Sequence, residues 1–378
     1  MKILIVRPTA TVMNRNSYNL QEEGIAKQYV KMGHQCNIVY YTNKKYKTEI
    51  VPVDKVNRFN IYWIPAWKIY DNAVFKSKYI KPLLEDADVI VTEEFEQLQS
   101  CILSLKYPQK VVIYHGPYDC DYKSRYMLKS KIYELFFLKA MIKKKIKFIA
   151  KSKKAKRTIE AKGFSNVDVI PVGLDLSKFQ VSDFHTFVQP NQKLDKLDML
   201  YVGSLEDRRN IPFMLLLTKE LIDRNIPVNL TIVGEARNND YFDECKKLIK
   251  KLDIENNIIY LGKKKQDELV EIYKNNPVFL LPTRYEIFGM VLLEAMLFGR
   301  IVLTTDNGGS ETLIDDKVDG YILPENDINE WANILIEIFD NKVNRHIMST
   351  CAINKVLESG TWEKSANKFL EYFKKRMG

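Results

Sequence analysis

Residues 277–296 read PVFLLPTRYEIFGMVLLEAM, and this stretch places a short apolar run, a polar loop and a helix-forming segment in succession. The run Pro277–Leu281 predicts a strand that is buried on both faces. Gly289 lets the backbone approach a ligand because it has no Cβ atom. The residues after Gly289 favour a helix, whose first N–H groups can face an anion. The stretch therefore predicts a strand–loop–helix unit of a parallel α/β sheet, with room for an anion at the loop.

Apolar runs of this kind recur along the chain in two series. Because helical-length segments separate the runs, each series predicts a doubly wound, Rossmann-like α/β domain. The polar segment Ser182–Lys196 separates the series, which gives an N-terminal domain over 1–185 and a C-terminal domain over 196–361. A final helix, 362–378, is expected to pack back on the N-terminal domain. The predicted strands are Ile3–Val6, Asn37–Tyr41, Asp88–Thr92, Lys110–Tyr114, Phe148–Ala150 and Val167–Pro171, then Asp198–Val202, Asn229–Val233, Asn257–Leu261, Pro277–Leu281 and Arg300–Thr304.

Composition narrows the class of protein. A chain of 378 residues that is 46% hydrophobic and 28% charged is typical of a globular protein with two domains. Its five cysteines are scattered, so we expect a reducing cytoplasm and neither a disulfide framework nor a zinc site. No run reaches the ~18 apolar residues of a membrane span, and the N-terminus reads as a first strand rather than a signal peptide. The patterns GxGxxG, GxxxxGK[ST] and GxSxG are absent, which disfavours a dinucleotide site, a P-loop nucleotidase and that class of hydrolase.

Residues 286–294, EIFGMVLLE, resemble the E-x-F-G-x-x-x-x-E motif of the family 4 retaining glycosyltransferases, which have the GT-B fold. Other segments are similar to family motifs in the expected order: 32–36, 170–175, 299–311 and 318–323. The resemblance implies two facing Rossmann-like domains with a cleft between them. It also implies transfer of a sugar from a nucleoside-diphosphate-sugar donor to a glycan or lipid-linked acceptor, with retention at the anomeric carbon and with neither a cofactor nor a metal ion. Bacterial surface polysaccharide or glycolipid synthesis is the expected setting.

The resemblance assigns catalytic roles to three residues. Glu286 binds sugar hydroxyls and helps to stabilise positive charge near the anomeric carbon. Arg209 stabilises the charge that develops on the leaving diphosphate. His115 follows the strand Lys110–Tyr114, matches the family's "HG", and orients the donor sugar. No dedicated base is needed, since the leaving phosphate can take the acceptor proton.

The donor-binding residues are expected around the same loops. Glu294 lies in an apolar helix, where a carboxylate is costly to bury unless it has partners, and the hydroxyl pair of a ribose would supply two donors. The remaining donor-side candidates are Gly203, Ser204, Arg208, Phe288, Gly289, Met290 and Val291.

Two segments depart from the family pattern. Residues 203–210 read GSLEDRRN, with Ser204 where the family usually has Arg and Arg209 where it usually has Lys. The loop at 16–20 lacks the family's paired Gly, so the acceptor side is expected to be built differently, with Asn19 in that loop as a weak candidate. Glu93 and Glu94 follow the strand Asp88–Thr92 and are the other acceptor-side candidates.

Several residues admit a structural as well as a functional interpretation. Asp119-Cys120-Asp121 has the form of the DxD metal signature of single-domain glycosyltransferases, but a solvated loop is favoured. Gly308-Gly309 fits a simple turn or a contact with the donor sugar equally well. Trp63 and Trp67 are expected to be packing residues rather than platforms for a sugar.

The net charge of +10 is concentrated in one segment. Residues 121–157 contain 14 Lys or Arg and two acids, or 14 − 2 = +12, so the rest of the chain is nearly neutral. The segment Lys123–Arg157 also contains many apolar and aromatic residues. Its apolar face could be buried in the N-terminal domain, or the segment could dock on the anionic inner face of a membrane. We expect a cytoplasmic protein that can be peripheral on that membrane.

Two other functions remain open from the sequence. A sugar-nucleotide epimerase can share the two-domain architecture and would isomerise the donor instead of transferring its sugar. A non-catalytic nucleic-acid-binding protein would explain the basic segment, but no RNA-binding motif accompanies it, and nucleic acid is not the expected partner.

Overall fold

The computed structural model describes residues 1–15, 20–120, 122, 124–341 and 343–377, with 124, 125 and 377 described in their backbone only. The chain divides into two compact units, Met1–Asp175 with Thr361–Gly378, and Leu176–Gly360. The first unit ends near residue 175 rather than 185. Phe179 and Phe184 account for the difference, because their rings pack edge-on against Phe298 of the second unit.

The first unit is a predominantly parallel sheet with helices. Its strands, which run in the order β3-β4-β2-β1-β6-β7-β8-β9 with β5 antiparallel to the end of β4, confirm the predicted α/β class. The strands are β1 Lys2–Val6, β2 Gln35–Thr42, β3 Lys47–Pro52, β4 Arg58–Ile69, β5 Asn72–Phe75, β6 Val89–Glu93, β7 Val111–His115, β8 Lys147–Ala150 and β9 Asp168–Val169. The helices are α1 Gln21–Lys31, α2 Ser77–Asp86, α3 Leu98–Lys106, α4 Ser124–Tyr133, α5 Lys139–Lys143 and α6 Lys153–Ala161, with a π-helical turn over Glu134–Leu138.

The second unit is a six-stranded parallel sheet in the order β12-β11-β10-β13-β14-β15. This order places the ends of β10, β13 and β14 side by side at one edge of the sheet. The strands are β10 Leu197–Val202, β11 Val228–Val233, β12 Ile258–Gly262, β13 Val278–Leu281, β14 Ile301–Thr305 and β15 Tyr321–Leu323. The helices are α7 Ile211–Asp223, α8 Asn239–Leu252, α9 Leu269–Asn275, α10 Met290–Leu297, α11 Ser310–Leu313, α12 Ile328–Phe339 and α13 Arg345–Ser359.

The final helix, α14 Trp362–Met377, belongs to the first unit. Phe369 packs edge-on against Tyr114 of β7, and Phe373 lies against Tyr29 of α1. In the part of the chain that the structure describes, no helix is both long enough and apolar enough to cross a bilayer.

Candidate active site

Three loops meet at the carboxyl edge of the second unit's sheet. They follow β10, β13 and β14, which are hydrogen-bonded neighbours in the order β10-β13-β14. The main-chain N–H of Arg284 donates to the carbonyl of Arg208 at 2.9 Å, and the N–H of Gly308 donates to the carbonyl of Glu286 at 2.9 Å. These backbone contacts fix the three loops to one another, as expected for a ligand site at the edge of an open parallel sheet.

Arg209 and Glu286 form a nearly buried ion pair within these loops. Arg209 is 8% exposed, and its Nη1 donates to a carboxylate oxygen of Glu286. Burial alone would raise the pKa of Glu286, but the charges of Arg209 and Arg208 outweigh it and hold that pKa below its usual range. The Nε atom of Arg209 is buried and has no hydrogen-bond partner among the described residues. The pair thus presents an ionised carboxylate beside a guanidinium with one N–H unused.

Arg208 serves mainly to hold the loop. Its Nη1 donates to the carbonyl of Tyr285 at 2.9 Å and lies 3.4 Å from the carboxylate of Glu286. Its Nη2 lies 2.7 Å from Glu206, whose same carboxylate oxygen accepts from the hydroxyl of Ser204 at 2.7 Å. Ser204, which stands where the family usually has Arg, therefore positions Glu206 and through it Arg208.

The turn into α10 is shaped by glycine. Gly289 has φ +78°, in the left-handed region that favours glycine, and directly precedes Met290 at the helix start. Phe288 is buried, whereas Met290 and Val291 are half-buried. A Cβ atom on Gly309 would lie 1.8 Å from the carbonyl oxygen of Phe288. The glycine pair 308–309 therefore has a structural role, since it lets the loop after β14 pack on the backbone of 286–288.

The remaining donor-side glycine, Gly203, directly follows β10. A Cβ atom there would lie 2.7 Å from the hydroxyl of Tyr201, which donates to the carbonyl of Ser204 at 2.8 Å. Gly203 thus allows the tyrosine to fold under the loop and support it.

Glu294 lies on α10 and is completely buried. One carboxylate oxygen accepts from the hydroxyl of Tyr273 at 3.2 Å, and the other lies 3.5 Å from the amide nitrogen of Gln266, the outer limit of a hydrogen bond. Burial raises the pKa of Glu294 to about 8. A carboxyl group with so few donors has capacity for additional hydrogen bonds, which is the property that the ribose assignment requires.

This raised pKa predicts a pH-dependent contribution to stability. The folded state binds the proton of Glu294 more tightly than the unfolded chain, so the contribution is full below pH 4.5 and is lost as pH rises through about 8. Urea unfolding of the wild type and of Glu294→Gln should therefore diverge with rising pH, by up to about 1.4 kcal/mol per pH unit, to the disadvantage of the wild type. Glu286→Gln is the control, since the pKa of Glu286 is low. A difference that stays constant across this range would contradict the prediction.

A second polar cluster lies at the carboxyl edge of the first unit's sheet. His115 ends β7 and is fully buried, with its Nδ1 3.2 Å from Glu94. Lys151 directly follows β8, and its Nζ lies 3.1 Å from Glu94 and 3.3 Å from Glu93. Burial opposes ionisation of Glu94, but Lys151 and His115 outweigh it and lower its pKa. Both acceptor-side carboxylates are thus engaged by Lys151.

This cluster determines how His115 can act. The ionised Glu94 favours a proton on Nδ1, because a charge-assisted hydrogen bond is stronger than the 3.3 Å contact between the N–H of Phe95 and the same atom. Nε2 is buried and has no partner among the described residues. With the proton on Nδ1, Nε2 is an acceptor suited to a sugar hydroxyl.

Sequence reasoning missed Lys151 and Arg7. Arg7 directly follows β1, and its Nη1 lies 2.6 Å from the buried carboxylate of Glu22. A cation placed immediately after a buried strand was the available signal for both. Lys151 stands within a basic run, in which a single lysine is not distinctive, and the loop after Arg7 has no glycine motif that would mark it as a binding loop.

Two residues of the sequence-based candidates, Asn19 and Asp121, lie outside the described residues. Asp119, in the same DxD-like segment as Asp121, is described, and its backbone N–H donates to the hydroxyl of Thr158 at 3.2 Å. Among the described residues, no group of three or more His, Cys, Asp or Glu side chains is arranged to hold a metal ion.

Comparison with protein families matches most of the chain. Residues 23–178 match the model described as Glycosyltransferase Family 4, and residues 183–355 match the model described as Glycosyl transferases group 1. The two matches correspond to the two halves of the chain.

Individual relatives are distant. An uncharacterized glycosyltransferase of Methanocaldococcus jannaschii is 27% identical over 50% of this chain and 46% of its own length. The UDP-Gal:alpha-D-GlcNAc-diphosphoundecaprenol alpha-1,3-galactosyltransferase of Escherichia coli is 25% identical over 55% of this chain and 54% of its own. The chain spans about half the length of the curated relatives it matches first.

Solved structures resemble the whole chain. The crystal structure of HepE from Anabaena in complex with UDP has a TM-score of 0.72 and 16% identity, and the match covers 99% of this chain and 100% of that one. At this identity the likeness shows the fold alone.

Proposed function

We propose that this chain, a GT-B glycosyltransferase of the family 4 kind, transfers a sugar from a nucleoside-diphosphate-sugar donor to a glycan or lipid-linked acceptor, with retention and without a metal ion. The observation that carries the proposal is the group formed by Arg209, Glu286 and the start of α10. These residues combine a guanidinium with one unused N–H, an ionised carboxylate and the N-terminus of a helix at one sheet edge. A sugar diphosphate carries the matching chemistry, with anionic oxygens beside hydroxyl donors.

The diphosphate competes with Glu286 for Arg209. A guanidinium has five N–H donors and can hold a phosphate by two of them while keeping a third contact. Charge on the diphosphate grows as the bond from the anomeric carbon to the phosphate oxygen breaks. Arg209 and the N–H groups at Gly289 stabilise that growing charge, which is the electrostatic contribution that usually dominates such catalysis.

Glu286 acts on the sugar side of the breaking bond. Its carboxylate accepts hydrogen bonds from sugar hydroxyls and stabilises the positive charge that develops at the anomeric carbon. The acceptor oxygen forms the new bond on the same face from which the phosphate leaves, and the departing phosphate oxygen takes the acceptor proton. His115, with Nε2 free to accept, orients a hydroxyl of the donor sugar.

The relatives support a lipid-linked or surface glycan acceptor. The E. coli relative is named for an acceptor linked to diphosphoundecaprenol, and WaaB, a structural neighbour with a TM-score of 0.70 and 18% identity, is named as a lipopolysaccharide outer core galactosyltransferase. We therefore propose that this chain acts in the synthesis of a bacterial surface polysaccharide or glycolipid, at the inner face of the membrane.

Replacing Glu294 by alanine tests the donor site. We expect weaker donor binding by about 1–3 kcal/mol, because two hydrogen bonds from the ribose hydroxyls to a largely neutral carboxyl group are lost. Isothermal titration with the nucleotide sugar that binds the wild type measures the loss. Tyr273→Phe is the matched comparison, since it removes one buried partner of Glu294 but leaves the carboxyl group in place. Unchanged donor affinity in a folded Glu294→Ala variant would make Glu294 a structural residue.

A further inference from the structure

One helical segment of the first unit is apolar on the side that faces solvent. Leu128, Ile132, Leu135 and Phe136 are spaced as one face of a helix and are 64%, 49%, 79% and 72% exposed. They lie on α4 and on the π-helical turn that follows it. Such a run of large exposed apolar side chains is unusual on a soluble surface and marks an interaction site.

The opposite side of the same segment packs against the core of the first unit. Met141 of α5 is buried in the core of the first unit, and Tyr133, Phe137 and Leu138 pack partly against that core. The burial expected from the sequence therefore accounts for only half of the apolar residues. Leu135 and Phe136 are left without a role in packing.

The turn region 67–70, which comprises the end of β4 and the first residue after it, extends this surface. Trp67, Ile69 and Tyr70 are 61%, 45% and 91% exposed, so Trp67 is not the packing residue that the sequence suggested. Two contacts join the turn to the helical segment. Lys129 Nζ lies 2.9 Å from Asp71, and the hydroxyl of Tyr133 lies 3.3 Å from the side chain of Asn72.

Basic side chains accompany both apolar groups. Exposed lysines of the turn and of the helical segment are Lys68, Lys131, Lys139, Lys143, Lys144 and Lys145. The segment's excess charge is not all on the surface, because Lys151 belongs to the buried cluster with Glu93 and Glu94. An apolar and aromatic surface with lysines around it matches the chemistry of an anionic bilayer, where Trp and Tyr favour the interface and each Lys contributes electrostatically.

We propose that the turn 67–70 and the helical segment 128–145 form one docking surface that inserts Trp67, Tyr70, Leu135 and Phe136 into the interface of an anionic membrane. The apolar side chains enter the headgroup region and the lysines contact anionic headgroups. The helical segment lies on the membrane and does not cross it.

The docking surface lies beside residues that the first unit needs for chemistry. The N–H of Ala73 donates to the carbonyl of Pro8 and the N–H of Ala10 donates to the carbonyl of Asp71, each at 2.8 Å. The turn is thereby fixed to the loop after β1, which begins with Arg7 at the carboxyl edge of the sheet. A docked first unit holds that edge close to the bilayer, which suits a lipid-linked acceptor; this consequence rests on the proposed function.

Tryptophan fluorescence measures the insertion directly. Trp67 is 61% exposed, whereas Trp331 and Trp362 are buried and Trp63 donates to Glu49 at 2.9 Å. Adding vesicles of phosphatidylcholine and phosphatidylglycerol in equal parts should shift the emission to shorter wavelength and protect it from iodide. Phosphatidylcholine alone should not. The shift should disappear in Trp67→Phe, which keeps an apolar ring at the turn.

Co-sedimentation with the same vesicles separates the two contributions. Leu135→Ser combined with Phe136→Ser should weaken binding by about tenfold or more, whereas Ile50→Ser combined with Val56→Ser, at positions 61% and 85% exposed in the same unit, should not. Changing Lys143, Lys144 and Lys145 together to Gln should weaken binding on the order of a hundredfold at low salt. The same change at Lys247, Lys250 and Lys251 of α8 is the matched control and should have little effect.

Four outcomes would overturn the proposal. Binding without an emission shift would mean that the lysines attract the protein but nothing inserts. Equal loss of binding in the control variants would mean that binding depends only on the net charge of the protein and not on this surface. Tighter binding to an oligonucleotide than to the vesicles, or concentration-dependent dimerisation that Leu135→Ser with Phe136→Ser abolishes, would assign the surface to a nucleic acid or to a second copy of the chain. Donor affinity, measured without vesicles, reports separately on the proposed function.

Discussion

Replacing Glu286 by glutamine is expected to lower kcat on the order of a hundredfold to a thousandfold while changing donor affinity much less. Glutamine keeps the size of the side chain and can still contact a sugar hydroxyl, but it removes the negative charge that faces the anomeric carbon in the transition state. An interaction that strengthens only in the transition state affects turnover rather than ground-state binding. Steady-state kinetics of sugar transfer, together with titration of the donor, separates the two effects.

Loss of the ion pair with Arg209 needs its own control. Glu220→Gln breaks a Glu–Arg pair of 2.7 Å on α7, at the end of that helix, and should leave turnover unchanged. Circular dichroism and thermal unfolding verify that both variants fold. If Glu286→Gln reduced turnover and donor affinity by the same factor, Glu286 would be a binding residue and its charge would not act in the transition state.

Replacing Arg209 by alanine is expected to weaken donor binding and to slow transfer, with a combined loss in kcat/KM on the order of a hundredfold to a thousandfold. The loss in kcat follows because charge on the diphosphate grows as the bond breaks. The donor's dissociation constant should rise as well, since the unused N–H of Nε and the Nη donors contact the diphosphate before reaction. Titration with the nucleotide sugar and with its nucleoside diphosphate should show the same weakening.

Arg237 supplies the matched control for Arg209. It is an arginine of the same unit that lies 3.9 Å from Glu206, and its side chain is 70% exposed. Arg237→Ala removes the same charge, and we expect less than a twofold effect on kcat/KM because the charge is screened by solvent. Arg208→Ala should instead destabilise the loop, since Arg208 holds the Tyr285 carbonyl and Glu206. A harmless Arg209→Ala with native unfolding behaviour would move the diphosphate contact away from Arg209.

The fold was predictable because strands of a parallel sheet that are buried on both faces consist of continuous runs of apolar residues. The run Pro277–Leu281 contains β13, and the run Asp198–Val202 lies within β10. The strands β3, β4 and β5 were missed. The first half of β4 alternates between buried and more exposed residues, and β3 and β5 pair antiparallel with it, so residues 47–75 lack the continuous burial of the parallel strands that were predicted.

The candidate site was predictable only for those of its residues that lie close together in the sequence. Glu286, Gly289 and Glu294 belong to a single strand–loop–helix unit, so their spacing alone indicated a site. The pairing of Arg209 with Glu286 depends on β10 lying beside β13, which is a property of sheet order and not of local sequence. The engagement of Glu94 by Lys151 likewise depends on which strands are neighbours. In the sequence, Ser204 indicated only the absence of the Arg that the family usually has at this position. The hydrogen bond from its hydroxyl to Glu206 depends on the folded conformation of the loop.

A thermal-shift screen over nucleoside-diphosphate sugars tests the central claim most directly, because a ligand that binds only the folded state stabilises it by mass action. We predict that one nucleotide sugar and its free nucleoside diphosphate raise the unfolding temperature, and that the rise grows with the logarithm of ligand concentration above the dissociation constant. At a hundred times the dissociation constant, the bound ligand adds about 2.7 kcal/mol to the free energy of unfolding. NMR of the recovered donor should show that its sugar is not isomerised, which separates a transferase from an epimerase. If no nucleotide sugar stabilised the protein, or if the recovered donor had been isomerised, a donor site for sugar transfer at Arg209 and Glu286 would be contradicted.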